Sequence, residues 1–421
     1  MEQKVIFHID VNSAFLSWEA VHRLRDLGES LDLREIPSAI GGDQEKRRGV
    51  ILARSIPAKA YKVQTGEPII RALSKCPQLQ LTKPNFEIYV KYSTAFIAIL
   101  KEYSPVVEQC SIDEAFMDMT GTEGLYGDLI ALAHRLKERI YSELGFTVNV
   151  GISSNKLLAK MASDFEKPYR VHTLFPEEIS KKMWPMPVGE LFFVGKAAEA
   201  TLIKLGIKTI GQLAKADVNL LKKHLHKQGE IIYGYANGRD SRLVIEEKQA
   251  NRGYGNLMTI PYDVDSVEGA KSVLLSLCET VGIRLRQGGV KAGLLSVSLV
   301  DTFFEQHSKQ KTLTSSTDVT KELYIEALNL FEDLWNHRTP IRQLGVHTSK
   351  LSDGQTYQYN LFSGECYEKY GKLDKALDTI RQRYGDSAVM RATFIDSAIT
   401  PIAESLSKEM SPLKLKMPQN Q

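Results

Sequence analysis

The chain has 421 residues, with 54 Lys+Arg against 51 Asp+Glu and a formal net charge of +3. That length predicts two to four domains with sizeable cores, and the near-balance of charge means that any nucleic-acid surface must come from how charge is distributed. The four cysteines, Cys76, Cys110, Cys278 and Cys366, make no CxxC pair, which excludes a zinc site of the usual spacing and a disulfide framework and suits a reducing compartment. No signal-peptide pattern precedes the first strand and no apolar run could span a bilayer, so a cytoplasmic protein without membrane contact is expected.

The first predicted element is a strand over residues 5–9, a short apolar run rich in β-formers. Asp10 stands at its end, and Val11 to Phe15 lead into a helix that runs to about Leu27. A small basic region follows, with a turn at residues 41–43, a strand over 50–53, and Lys59 near a helix start where free backbone N–H groups favour phosphate. Residues 85–101 carry a helical apolar face built on Phe86, Tyr89, Val90, Phe96 and Ile99. Two short buried strands then meet at a hairpin, with Asp113 and Glu114 at the bend. A helix over about 128–144 and a strand over 147–152 complete an antiparallel sheet backed by helices.

Carboxylates at the lip of a core are costly unless paired, hydrogen-bonded or bound to a cation. If the two strand regions are neighbours, Asp10, Asp113 and Glu114 converge, and three hard oxygen donors suit Mg²⁺ together with substrate phosphates. Such a cluster can hold two ions for an in-line phosphoryl displacement. Read alone, an Asp-Glu pair is more often a solvated hairpin tip. The next helix, over 156–164, carries Lys156 and Lys160 on one face, with Lys167 beyond. The three lysines suit a triphosphate, and a solvated basic face is the plainer alternative.

From about 178 to 242 the chain reads as wholly helical. Phe193-Val194-Gly195-Lys196, followed by Leu205-Gly206-Ile207-Lys208-Thr209-Ile210-Gly211, reads as a helix-hairpin-helix. Gly195 would let the backbone approach a phosphate, and Lys196 and Lys208 add charge. After a polar linker, strands over 254–260, 294–300, 310–314 and 342–351 alternate with helices over 266–286 and 321–335 in βαββαβ order. Basic residues there, among them Arg284, Arg286, Lys309 and Lys311, could track a phosphate backbone. Gln358, Leu361 and Phe362 mark a pentapeptide, residues 358–362, suited to an apolar pocket on a partner. Leu373, Ala376, Leu377, Ile380 and Tyr384 mark a short amphipathic helix, and the chain from Pro401 on is polar.

Taken together, these motifs resemble the Y family of translesion DNA polymerases, in the bacterial branch that includes UmuC and UvrX-type proteins. The resemblance covers about residues 4–362. It rests on His8-Ile9-Asp10-Val11-Asn12-Ser13-Ala14-Phe15, on Ser111-Ile112-Asp113-Glu114-Ala115-Phe116, and on Gly151 through Asn155-Lys156 and Lys160 to Lys167-Pro168. It implies an α+β right-hand polymerase. The palm would comprise residues 1–26 and 85–175, the small fingers 27–84, and the helix-hairpin-helix thumb 176–245. A linker over 246–252, a βαββαβ little finger over 253–352 and a tail over 353–421 with the clamp-binding peptide would follow.

The resemblance also implies roles. Asp10 and Asp113 would bridge two Mg²⁺ ions, Glu114 would complete the site of the ion that activates the primer 3′-OH, and the Val11 carbonyl would serve the nucleotide ion. Phe15 would be the steric gate against a ribose 2′-OH. Lys59 and Lys167 would hold the triphosphate. The implied partners are primer-template DNA, dNTP and a sliding clamp bound by residues 358–362, for a monomer acting on the nucleoid in error-prone, SOS-type repair. Three positions depart from the family pattern. Ile56 stands where a Tyr is common, Lys59 replaces the commoner Arg and loses bidentate geometry, and Lys62 stands where Gly is frequent. Two other readings are a non-catalytic damaged-DNA-binding accessory protein of the same fold, and a nucleotide cyclase. The intact carboxylates speak against the first, and the helix-hairpin-helix and clamp-like peptide against the second.

Overall fold

Alternation along β1 (Ile6–Val11) assigns its two faces. Phe7, Ile9 and Val11 enter the core, while Ile6, His8 and Asp10 face the other way. After β1 come α1 (Ala14–Arg25), β2 (Ser38–Gly41), β3 (Ile51–Arg54), α2 (Ile56–Ala60), α3 (Ile69–Lys75) and β4 (Gln80–Thr82). Then follow α4 (Phe86–Lys101), β5 (Val107–Gln109), β6 (Glu114–Asp118), α5 (Glu123–Tyr126), α6 (Leu129–Leu144), β7 (Val148–Ser153), α7 (Lys156–Ser163) and β8 (Val171–Thr173). The helical stretch comprises α8 (Ile179–Lys182), α9 (Lys196–Lys204), α10 (Ile210–Ala214) and α11 (Val218–Ala236), the last broken at His226, whose φ is 53°. The computed structural model describes residues 4–42, 49–246, 250–353, 364–395, 399 and 402. The chain forms two units, one mainly of residues 1–41 and 51–248 and the other mainly of 249–408.

In the first unit five strands line up as β5-β6-β1-β7-β8, with β1 at the centre. β1 pairs antiparallel with β6 and β7, and β8 joins β7 in parallel. Trp18, Tyr89, Phe96 and Leu136 from the helices, with Phe146 from the α6–β7 connection, cover the apolar face and are fully buried. The α4 helix matches the predicted amphipathic segment, and the Asn85 side chain caps it by accepting from the Ile88 amide at 3.4 Å. Helix α7 lies on the opposite, polar face, beside His8 and Gly151. A separate three-stranded sheet, β3-β2-β4, stands in the basic region, where only β3 was expected.

The second unit keeps the expected βαββαβ order, with β9 (Gly253–Val264), α12 (Val267–Gln287), β10 (Lys291–Asp301), β11 (Gln306–Thr317), α13 (Thr320–Glu332) and β12 (Ile341–Ser352). The sheet order is β11-β10-β12-β9, antiparallel throughout. The face opposite the helices carries Ser296, Ser298, Gln310, Gln343 and His347 in register, so it is polar and uncharged at its centre. Several of the basic residues expected to line a phosphate track are engaged elsewhere. Arg286 pairs with Asp374 and Asp378, Arg284 donates to the Gly255 carbonyl at 2.9 Å, and Lys309 and Lys311 pair with Asp333 and Glu326.

Helix α14 (Gly364–Tyr384) follows, and it corrects the expected apolar stripe. Leu373, Ile380 and Tyr384 are exposed, while Asp374 and Arg381 are buried. The helix is held by charge. Arg381 meets Glu279 of α12 at 2.8 Å, Arg391 meets the other oxygen of Glu279, and the Asp378 carboxylate accepts from Arg286 at 2.6 Å. The periodicity was right for a helix but assigned the wrong face, because the partner surface offers buried charges and not an apolar groove. Gln358, Leu361 and Phe362 lie outside the described residues.

Candidate active site

Strand register brings the acidic residues together. Asp10 lies directly opposite Glu114 across the β1–β6 ladder, and Asp113 sits in the turn just before, its carbonyl accepting from the Val11 amide at 3.0 Å. Glu114 is the first residue of β6 and not part of the bend. The turn from β1 into α1 is made by Ser13 in the left-handed region at φ 48°, and it is secured by Asn12. The Asn12 amide donates to Asn149 at 3.2 Å, its oxygen accepts from the Tyr169 amide at 2.9 Å, and its carbonyl accepts from the Ser17 hydroxyl at 2.6 Å. This sharp turn sets Phe15 beside Asp10. The Phe15 ring stacks on Tyr89 at 4.9 Å with planes 16° apart and meets Phe86 edge-on at 5.9 Å.

A cavity of about 310 Å³ opens here, lined by Asp10, Asp113, Phe15, Arg54, Lys59 and Lys167 among others. Its lining carries both acidic and basic side chains, and Lys167 joins the two sets by pairing with Asp10. Burial raises the Asp10 pKa above the ordinary carboxylate value; Lys167, 2.5 Å away, opposes the shift and the Asp113 charge adds to it. For Lys167, burial works against the ammonium, but Asp10 and Asp164 outweigh it and the pKa is raised. Lys59 is lowered, by burial first and then by the repulsion of Arg54 and Lys167. Cations that crowd one another across an open cavity form a site for a polyanion. Lys59 falls in the last turn of the five-residue helix α2 and not at its start. Lys62 takes φ 60°, the region that favours glycine. Ile56 is exposed.

Glu114 belongs to a different environment. Its Oε2 accepts from Lys160 at 2.5 Å and lies 3.4 Å from His8 Nε2, which is in ion-pair range but out of line for a hydrogen bond. The nearby His8 ring, followed by Lys160, outweighs burial and holds the Glu114 pKa down at about 2. The oxygens of Asp10, Asp113 and Glu114 do not all close to within 4.8 Å of one another. Of the three lysines expected near the carboxylates, Lys156 is buried on Glu108 at 2.6 Å, Lys160 holds Glu114, and Lys167 alone reaches the cavity. Sequence reasoning missed Arg54 and Thr65 in the lining, although Arg54 ends β3 much as Asp10 nears the end of β1.

The donor set fits a divalent cation. Asp10 and Asp113 are hard oxygen ligands lining one cavity, the Asp113 charge adds to the rise in the Asp10 pKa, and a cation bound there would relieve that repulsion. Elsewhere, Gly195 caps α9 with no left-handed strain, Lys196 opens that helix, and Thr209 caps α10 in a reciprocal box with Gln212, which also accepts from the Lys208 amide at 2.7 Å. The cluster Asp301, Glu305 and His307 lies in the second unit, where Asp301 accepts the amides of Phe303 and Glu305 and shapes the β10–β11 turn. No helix among the described residues is long and apolar enough to cross a membrane.

The fold is that of the Y-family polymerases. A solved Y-family DNA polymerase chimera, Dbh-Dpo4(243-245)-Dbh, matches with a TM-score of 0.70 at 22% identity, covering 82% of this chain and 99% of that one. Residues 9–164 match the impB/mucB/samB family, and residues 251–361 match its C-terminal domain. A DNA polymerase IV of Clostridium acetobutylicum is 44% identical over 93% of this chain and 98% of its own length. DNA polymerase IV of Moorella thermoacetica is 36% identical over 92% and 96%, and DNA polymerase IV 2 of Bacillus subtilis is 36% identical over 94% and 96%. The chain belongs to this family, the Y family of its motif resemblance.

Proposed function

We infer that the protein is a template-directed DNA polymerase of the translesion class, acting in DNA repair on DNA and deoxynucleoside triphosphates and dependent on a divalent metal. One observation carries this reading. A single cavity is lined by the carboxylates of Asp10 and Asp113, by Arg54, Lys59 and Lys167, and by the Phe15 ring. The carboxylates suit cations and the basic groups suit the phosphates they accompany.

Asp10 and Asp113 are assigned to hold two Mg²⁺ ions, with Glu114 and the Val11 carbonyl completing the set. When bound, Mg²⁺ favours the attacking 3′-oxygen and neutralises charge on the phosphates. Lys59 and Lys167 bind the triphosphate through charge-assisted hydrogen bonds. Phe15, braced by Tyr89, is assigned as the steric gate against a ribose 2′-OH. Gly195, Lys196 and Lys208 support the primer-template backbone without reading sequence. Gln358, Leu361 and Phe362 are assigned to a sliding clamp. The palm, fingers, thumb, linker and little-finger boundaries stated above are kept as the domain assignment, for a monomer working at the nucleoid in the cytoplasm.

Primer extension on a DNA template with Mg²⁺ and dNTPs, comparing wild type with Asp113→Asn, tests this directly. Extension by wild type and its loss in the variant is expected. Equal extension by both would remove Asp113 from the site. DNA binding without extension by the wild type, with or without a sliding clamp, would favour the accessory-protein reading.

A further inference from the structure

Lys160 sits on α7, on a basic face read from the sequence as either solvated or suited to a triphosphate, yet it points at a carboxylate. Its ammonium donates to Glu114 Oε2 at 2.5 Å. The same oxygen faces His8 Nε2 at 3.4 Å. His8 is wholly buried, its Nε2 has no hydrogen-bond partner among the described residues, and its Nδ1 lies 2.8 Å from the Ser163 hydroxyl. Ser163 donates in turn to the Lys160 carbonyl at 2.8 Å. One hydroxyl therefore links the backbone of Lys160 to the His8 ring, and both side chains converge on a single carboxylate oxygen. Lys160 is absent from the lining of the cavity that holds Lys59 and Lys167.

We propose that Lys160, with His8 and Ser163, is a positioning residue for Glu114 and not a ligand of the triphosphate: it grips Oε2 and leaves Oε1 for the reacting centre. The inference rests on the reading of Glu114 as part of the catalytic site. A carboxylate gripped at one oxygen keeps a fixed rotamer, and displacement of a reacting group by about 1 Å can cost on the order of a hundredfold in rate. The lysine's effect therefore falls on the chemical step and not on nucleotide capture.

The test is single-nucleotide incorporation by the full chain, with wild type, Lys160→Met, Lys160→Gln, Lys160→Arg and Glu114→Gln compared, and with Mn²⁺ binding to each protein followed by electron paramagnetic resonance. Lys160→Met and Lys160→Gln are expected to lower kcat by about a hundredfold, with KM for dNTP within about twofold of wild type, and to weaken Mn²⁺ binding. Lys160→Arg keeps the charge and recovers most of both. A KM raised about tenfold or more with kcat preserved would make Lys160 a triphosphate ligand and overturn the proposal. Wild-type kcat and Mn²⁺ binding in both neutral variants, with Glu114→Gln inactive, would overturn it while leaving Glu114 in place. Full activity of Glu114→Gln would instead remove the reading beneath it. If Lys160→Met fails to fold, Lys160→Gln, closer in shape and polarity, supplies the same split.

Discussion

Gly151 is where the sheet and α7 touch backbone to backbone. It pairs with His8 across β1 and β7. A Cβ built on it would lie 2.0 Å from the Ala159 carbonyl oxygen and 2.4 Å from the Ser163 amide nitrogen. Both atoms belong to helix backbone and cannot rotate away. Ordinary contact begins near 3.4 Å, so Gly151→Ala requires α7 to retreat by about 1 Å or more. Overpacking of this kind costs about 1–3 kcal/mol. For a unit of this size that is about 2–12 °C in Tm. The retreat also carries Lys160 away from Glu114, since a 2.5 Å contact lengthened by that much is no longer a hydrogen bond. We expect single-turnover nucleotide incorporation to fall by about a hundredfold. Gly195→Ala serves as the control for stability, because a Cβ there meets nothing within 4 Å. Thermal melts on both variants, and single-turnover kinetics on Gly151→Ala beside wild type, check the reasoning. A Gly151→Ala protein with wild-type Tm and rate would refute it.

Three further outcomes are expected. Phe15→Ala should raise ribonucleotide incorporation relative to deoxynucleotide by about tenfold or more; unchanged discrimination removes Phe15 as the gate. Replacing Leu361 and Phe362 by Ala should weaken clamp binding by about thirtyfold while sparing basal synthesis, and equal stimulation of both forms by the clamp would count against the pentapeptide. Glu114 has a folded pKa of about 2, below the ordinary 4.5, so its ionised form stabilises the fold above about pH 4.5 and that contribution fades as pH falls towards 2. The Tm gap between wild type and Glu114→Gln should accordingly be flat above pH 5 and close across that window; a gap unchanged to the acid end contradicts the assignment.

Long periodic elements were legible in the sequence. The α4 and α6 helices, β1, β7 and the whole βαββαβ unit appear within a few residues of their expected bounds. The strands β2, β4 and β8 were not expected. They run three or four residues, too short to show alternation, and they exist because a partner strand is at hand. Asp10 and Asp113 were found as neighbours because both are carboxylates at the margins of apolar runs. The partners of the lysines were hidden for a different reason. Lys156 and Lys160 do share a helical face, but whether that face meets phosphate or carboxylate depends on which strand residues lie beneath it. Glu108 and Glu114 are 48 and 46 residues away in sequence from their lysines, and only strand register brings them under α7.

The charged seam between α12 and α14 has a consequence for how such chains change length. Glu279 and Arg286 on α12 are almost inaccessible, and each is neutralised by residues beyond the βαββαβ core: Arg381 and Arg391 for the first, Asp374 and Asp378 for the second. In a chain that ended soon after β12, both would lose these partners and stand solvated at the surface. With the helix docked, removal of one partner alone instead leaves a buried charge unpaired, a defect of about 3–5 kcal/mol. The seam therefore tolerates loss of the whole segment better than loss of a single one of its charges.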